Sequence, residues 1–208
     1  MLRIHSQFVT SASGNFLQQV RDALGRRVPA TLHDEGAQRA AVALVVTAGA
    51  DPALLFVKRR ERTGDPWSGH AAFPGGYRST ADQDLLATAE RETEEETGLA
   101  LATVGQRLGR LDDVYPRSIM LPKVIVTPCV FAVEAQLPVT PSNEIERALW
   151  LPLDQLRAPE NRQSLALETP LGRREFESIR IASLTIWGLT ERVLAQFIEL
   201  IGGGQALA

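Results

Sequence analysis

The sequence is poor in the residues that cross-link or anchor a chain. Its 208 residues include a single cysteine, Cys129, which excludes an intramolecular disulfide and any Cys-rich zinc site. The flanks of Cys129, Val124 to Val133, have the composition of a strand broken by Pro128, so an inert core thiol is expected rather than a reactive one. Three histidines, His5, His33 and His70, show no metal-ligand spacing, and a structural hydrogen-bonding role is expected for His70. The longest mostly apolar stretch, Ala40 to Ala50, falls far short of the roughly 20 residues that span a bilayer. Met1 to Phe8 carries Arg3 and His5 with no apolar run after them, which is not the pattern of a secretory signal. There is no excess of positive charge either. Lys and Arg total 22 against 25 Asp and Glu, a net charge of -3, so the global basic surface typical of nucleic-acid binding is missing. Internal repeats, low-complexity tracts and Pro/Gly-rich linkers are also absent. With 44% hydrophobic and 23% charged residues, the expectation is a reduced, cytoplasmic enzyme or binding protein. It would form one domain over residues 1–208, with a helical extension over about 1–38.

Periodicity outlines the elements. Asn15 to Leu24 has Phe16, Val20 and Leu24 at helical spacing. Ala41 to Thr47 and Leu54 to Val57 form strands joined through Gly49, Ala50, Asp51 and Pro52. Trp67 to Gly76 is a loop ending in Pro74-Gly75-Gly76, where glycines permit close backbone approach. A helix follows, with Thr80 and Gln83 spaced as a capping box, an inward stripe of Leu85, Leu86, Ala89 and Thr93, and Gly98 as its stop. Further strands are expected at Gly105 to Leu111, Lys123 to Val133 and Ala148 to Leu151. A hairpin joins Ser164–Glu168 to Arg174–Ile181 through Pro170-Leu171-Gly172. A last helix, about Leu184 to Ile201, buries Trp187, Val193, Leu194, Phe197, Ile198 and Ile201. This mixture implies an α/β or α+β sandwich with a mixed sheet.

Acidity is concentrated in one place. Glu90 to Glu96 holds five acids against one arginine, a local charge of -4, which leaves the remaining residues at +1. Glu92, Glu95 and Glu96 stand at i, i+3 and i+4, on one helix face. Like charges so spaced cost about 0.2–0.5 kcal/mol per pair, and anions in the last turns of a helix cost roughly 0.3–1 kcal/mol each. A cation therefore belongs at this site, and hard carboxylates favour Mg²⁺ or Mn²⁺.

The run Arg91-Glu92-Thr93-Glu94-Glu95-Glu96-Thr97-Gly98-Leu99 resembles the core of the Nudix signature, Arg-Glu-U-x-Glu-Glu-x-Gly-U with U a bulky aliphatic, and Gly76 stands where the motif opens. Thr93 replaces the aliphatic. The spacer from Gly76 to Arg91 is one residue longer than the standard motif, and the usual early Glu is missing; Gln83 takes the nearest position, flanked by Asp82 and Asp84. The longer spacer after Phe73-Pro74-Gly75-Gly76 resembles the coenzyme A pyrophosphatase branch. Arg60 and Gly69 fit that branch in register, Asp65 and Trp67 stand where it has Arg and His, and Ile186 to Thr190 resemble the start of its last helix.

The resemblance implies an α/β/α sandwich with a central mixed sheet. It implies Mg²⁺- or Mn²⁺-dependent hydrolysis of a diphosphate linking a nucleoside to a group X, most often coenzyme A or its acyl esters in that branch. It places metal ligands at Glu92, Glu95, Glu96 and the Gly76 carbonyl, and has Arg91 hold a motif carboxylate by an ion pair. The general base is a motif glutamate or an acid on a distant loop, for which Glu144 is favoured over Glu146. Lys58 to Arg62 carries +3, and Arg60 is the leading candidate for substrate phosphate. Tyr115, with Pro116, Arg117 and Ser118, is a weaker candidate for the base or X group, and Trp67 is either a loop anchor or a stacking platform. The expected partner is a small nucleoside-diphosphate substrate, with neither nucleic acid nor membrane; homodimers are frequent in the family. Two alternatives remain: a Nudix hydrolase of ADP-ribose, dinucleotides or modified nucleotides, favoured by Asp65 and Trp67, and a non-catalytic nucleotide-binding regulator, which loss of a motif acid would have supported.

Overall fold

Strand β1 (Gln38–Thr47) runs parallel to β6 (Val124–Val133), in register from Gln38↔Val124 to Thr47↔Val133. All ten residues of β6 are buried, as expected of a strand covered on both faces. The strand continues through Pro128, whose carbonyl accepts from Leu111 N. β5 (Gln106–Arg110) flanks β6 and pairs as far as Arg110↔Cys129. The computed structural model describes residues 12–49, 51–63, 69–116, 121–169 and 172–202.

On its other side β1 meets β2 (Ala53–Arg59) at Val46↔Leu54, after which the two strands splay. The wedge between them is filled by one short segment. Within it β3 (Ala71–Ala72) pairs with β2, and β4 (Gly75–Tyr77) pairs with β1 at Ala41↔Gly76. Between these strands Pro74 O accepts from Ala43 N at 2.8 Å. β7 (Ile145–Pro152) closes the far edge of β2, with a register shift between Lys58 and Arg59.

Side-chain alternation divides this sheet into two faces. Ala41, Ala43 and Val45 pack with Leu55, Cys129 and Phe131 against Ala89 of α2 (Leu85–Thr97). The opposite face, with Leu44, Val46 and Phe56, is covered by α1 (Ala12–Gly25) through Val20 and Leu24, and by α5 (Gly188–Gly202) through Val193, Leu194 and Phe197. This is the expected helix–sheet–helix layering. Short α3 (Leu101–Val104) leads from α2 into β5, and short α4 (Leu153–Arg157) follows β7. A second, antiparallel sheet comprises β8 (Arg162–Thr169), β9 (Gly172–Ile181) and β10 (Leu184–Trp187). No helix among the described residues is long and apolar enough to cross a membrane.

Three expectations change. Helix α2 is capped by Asp84, whose side chain accepts from Ala87 N at 2.7 Å, so Thr80 lies outside the helix. The last helix begins at Gly188, because Leu184–Trp187 is a strand paired with β9. Trp187 accordingly packs against His70 and Phe176, with ring centroids 4.8 and 5.5 Å away, rather than on a helix face. Cys129 is fully buried, and burial pushes its thiol up to about 12.

Candidate active site on the acidic helix

Helix α2 lies over the wedge with its carboxylates toward Gly75 and Gly76. Its inward threonines are satisfied within the helix: Thr93 Oγ1 donates to Ala89 O at 2.6 Å and Thr97 Oγ1 to Thr93 O at 2.7 Å. Thr93 can thus replace an aliphatic side chain in a buried row without an orphaned hydroxyl. Gly98, at φ 70°, ends the helix in the left-handed conformation and donates to Glu94 O. Glu90 points away from the other acids, toward β5, where Arg107 grips both its oxygens at 2.7 and 2.5 Å.

The three acids at i, i+3 and i+4 differ in exposure: the Glu95 side chain is 58% exposed, Glu92 18% and Glu96 7%. Glu96 accepts from Gly75 N at 3.0 Å and faces Arg59 Nη1 at 3.7 Å. Burial outweighs both contacts and raises its carboxyl to about 7. Burial also raises Glu92, against the pull of Arg91. The Glu92 carboxylate stands so near Gly76 that a Cβ there would lie 2.5 Å from its Cδ.

Arg91 organises the cluster. Its Nε and Nη2 fork onto the two oxygens of Asp82 at 3.0 Å each, and Nη1 reaches Glu92 at 2.8 Å and Glu95 at 3.1 Å. Nη2 also donates to Tyr77 O at 3.1 Å, tying the helix to β4. The guanidinium holds Asp82 far below the usual carboxylate range. Asp82 thus occupies the place that the early motif acid seemed to leave empty. Gln83 is exposed and contributes only its carbonyl, at 3.4 Å from Arg78. Counting six residues forward from Gly76, rather than back from Arg91, would have found Asp82.

The loop after β6 returns to the same end of α2, where Thr140 N and Ser142 N donate to Thr97 O and Glu96 O. It brings Glu144 close enough for its charge to oppose ionisation of Glu96. Glu144 is paired with Arg62 at 3.0 Å, whereas Glu146 turns to Lys58 at 2.7 Å. Of the basic run, Arg59 and not Arg60 approaches the acidic cluster. Arg59 shares the face of Leu55 and Val57, while Arg60 lies past the end of β2, exposed, with its backbone N donating to Glu144 O. Tyr115 is not gathered with these groups: its hydroxyl donates to Asp34 at 3.2 Å and its carbonyl accepts from Arg192. Trp67, Asp65, Arg117 and Ser118 lie outside the described residues.

The donor set suits a hard divalent cation, since it consists of carboxylates and a backbone carbonyl with no thiol or imidazole. Glu96 is buried and Glu92 half-buried, at a cost that a cation would offset. As they stand, no three acidic, His or Cys side chains among the described residues are gathered tightly enough to enclose an ion; Glu92 and Glu95 are both turned onto Arg91.

Comparison with known proteins adds four likenesses. The NUDIX domain family model matches residues 37–168. An uncharacterised protein of Schizosaccharomyces pombe is 35% identical over 126 residues, covering 57% of this chain and 37% of the relative, so the chain spans little more than a third of that relative's length. The uncharacterised Nudix hydrolase NudL of Yersinia pestis is 30% identical over 166 residues, 79% of this chain and 80% of NudL. Among solved structures, a MutT/nudix family protein from Enterococcus faecalis shares the fold at a TM-score of 0.50 and 13% identity, over 94% of this chain and 76% of that one.

Proposed function

The chain belongs to the NUDIX domain family, and on that premise we propose that it is a metal-dependent pyrophosphohydrolase. Its substrate is a nucleoside diphosphate linked to a second group, with coenzyme A or an acyl-coenzyme A as the leading candidate. The observation that carries this reading is the convergence of Glu92 and Glu96 on the half-buried glycine pair Gly75-Gly76. That convergence joins hard anionic ligands to a stretch of chain that a diphosphate can approach closely.

Glu92, Glu95 and Glu96 would hold Mg²⁺ or Mn²⁺ together with the Gly76 carbonyl. When bound, such an ion neutralises charge on the diphosphate and lowers the pKa of an attacking water. The remaining work falls to the chain. Arg91 keeps its forked grip on Asp82 independently of its bonds to Glu92 and Glu95, so those two carboxylates can turn toward the site while the helix stays anchored to β4. Gly75 N holds one oxygen of Glu96 and leaves Oε1 toward Arg59. Arg59, only a quarter exposed, supplies a fixed positive charge beside the carboxylates for a phosphate oxygen, the role first expected of Arg60. Glu144, more than half exposed on its loop, accepts the proton of water.

The spacing after Phe73-Pro74-Gly75-Gly76 supports coenzyme A. Asp65 and Trp67, which depart from that branch, favour the second reading, hydrolysis of ADP-ribose, a dinucleotide or a modified nucleotide. All three motif acids are present, which weighs against a purely binding role. Mass-spectrometric product analysis with Mg²⁺ or Mn²⁺ tests the choice. Release of a phosphopantetheine and adenosine 3′,5′-bisphosphate supports the first substrate; turnover of another conjugate with coenzyme A untouched removes it.

A further inference from the structure

A cavity of about 220 Å³ opens beside β2, on the face of that strand opposite the one that Arg59 turns toward Glu96. Alternation along β2 sends Arg59 toward Glu96 and Lys58 to the opposite face, where it forms one wall. His70 and Ala71 form a second wall, and Leu165, Thr185 and Trp187 a third. Along β10, Leu184 and Ile186 are buried while Thr185 and Trp187 are half-buried, and Leu184, Thr185 and Trp187 all line the cavity. Trp187 is braced edge-on by His70 and also meets the tilted ring of Phe176. The wall is also tied to the site: His70 O accepts from Arg59 N at 3.1 Å, and Ala71 pairs with Lys58. Ala71 and Gly75 are four residues apart, at most about 13 Å along an extended chain. The end of β2 thus carries Arg59 toward one place and Lys58 toward the other.

We infer that this cavity, between β3 and the β9–β10 hairpin, binds a flat heteroaromatic ring with polar edges, the nucleobase end of the diphosphate substrate. The inference rests on the hydrolase reading for the identity of the ligand. An aromatic and aliphatic lining with a few convergent polar groups is what such a ring requires. Here Trp187 and Leu165 supply the apolar surface, while His70, Thr185 and Ser183 supply hydrogen-bonding groups. The volume lies below the 300 Å³ or so of sites that enclose a whole drug-sized ligand, which suits one ring system and leaves the diphosphate outside, at Gly75 and Gly76.

The test is a calorimetric titration of the full chain with AMP and with ribose 5-phosphate, which keeps the sugar phosphate and lacks the ring. It is repeated on two cavity-filling variants from separate walls, Thr185→Phe and Leu165→Trp, each checked for a native unfolding transition. AMP binding should weaken about tenfold or more in either folded variant, a loss of the size expected for an excluded ring, while ribose 5-phosphate should bind all forms alike. AMP binding by the parent chain that neither filled cavity weakens, or no AMP binding at all, overturns the proposal. Hydrolysis of coenzyme A and of ADP-ribose is measured in parallel. Turnover with AMP binding insensitive to both variants removes the cavity and leaves the hydrolase; sensitive AMP binding without turnover of any conjugate leaves the cavity and removes the hydrolase.

Discussion

Glu96 is a carboxylate kept at 7% exposure with one backbone N–H and one distant guanidinium for company. Its carboxyl is raised from 4.5 to about 7 by burial, so the folded state holds its proton where the unfolded chain has lost it. In metal-free protein this contribution to stability is fully present below pH 4.5 and is lost as pH rises through about 7, by an amount on the order of 3 kcal/mol. Thermal unfolding in chelator should therefore show a midpoint that falls across that window, and Glu96→Gln should flatten the fall. Added Mg²⁺ should raise the midpoint more above pH 7 than below it, since the cation competes with the proton. In turnover, Glu96→Gln should lower kcat by about a hundredfold or more with the fold retained. Among the arginines, Arg59→Gln should raise KM by about tenfold, the loss of a charge-assisted hydrogen bond, and Arg60→Ala should change it little; the reverse order would return the phosphate to Arg60. The sequence showed a basic run near the site but not which member faces it. That depends on where β2 ends and on the register shift against β7 between Lys58 and Arg59, which no local pattern encodes.

Helix α2 was the most legible element, because its chemistry and its periodicity are both local. The spacing of Glu92, Glu95 and Glu96, the stop at Gly98 and the buried Ala89 all appear as read. The start was misplaced, since Thr80 and Asp84 are both competent caps and the choice is made by tertiary contacts. Asp82 is drawn onto Arg91, Ser79 N and Thr88 Oγ1 at 3.0, 2.8 and 2.9 Å, which shapes 79–84 into a turn and leaves Asp84 to cap. The wedge segment separates two glycines with different duties. At Gly75 a Cβ would lie 2.3 Å from Ala41 O and 2.6 Å from Val42 Cα, both backbone atoms that cannot retreat. Gly75→Ala should therefore destabilise the protein by several kcal/mol or prevent folding. At Gly76 the obstacle is the Glu92 carboxylate, the far end of a flexible side chain. Gly76→Ala should fold with a loss of about 1 kcal/mol or less and still lose most of its activity. Denaturant titration beside a turnover assay separates the two; equal losses of stability would contradict the assignment of Glu92 to the backbone of Gly76.

At the scale of the whole molecule, the layers were readable from hydrophobic period. Helical spacing in Phe16, Val20 and Leu24 and apolar runs in β1, β2 and β6 already demand helices against a sheet. What periodicity could not supply is non-local pairing: the splayed β1–β2 pair, the segment that fills it, and the small sheet whose last strand was mistaken for the first turn of α5. Helix α1 is part of the core, since Val20 is fully buried and Leu24 is 6% exposed. Leu24→Ala should consequently cost about 2–5 kcal/mol, whereas an independent extension would lose almost nothing. All these elements bear on one proposal, that the carboxylates of α2 act with the Gly75-Gly76 backbone to hydrolyse a nucleoside diphosphate conjugate. The most direct test is a mass-spectrometric hydrolysis screen of coenzyme A, acetyl-coenzyme A, ADP-ribose, NADH and diadenosine polyphosphates with Mg²⁺ or Mn²⁺, run beside Glu95→Gln and Glu96→Gln. The account predicts metal-dependent cleavage of a diphosphate bond in at least one conjugate, abolished by chelator and reduced about a hundredfold or more by Glu96→Gln. Cleavage that persists in chelator or in Glu96→Gln, or no cleavage of any conjugate, would contradict it.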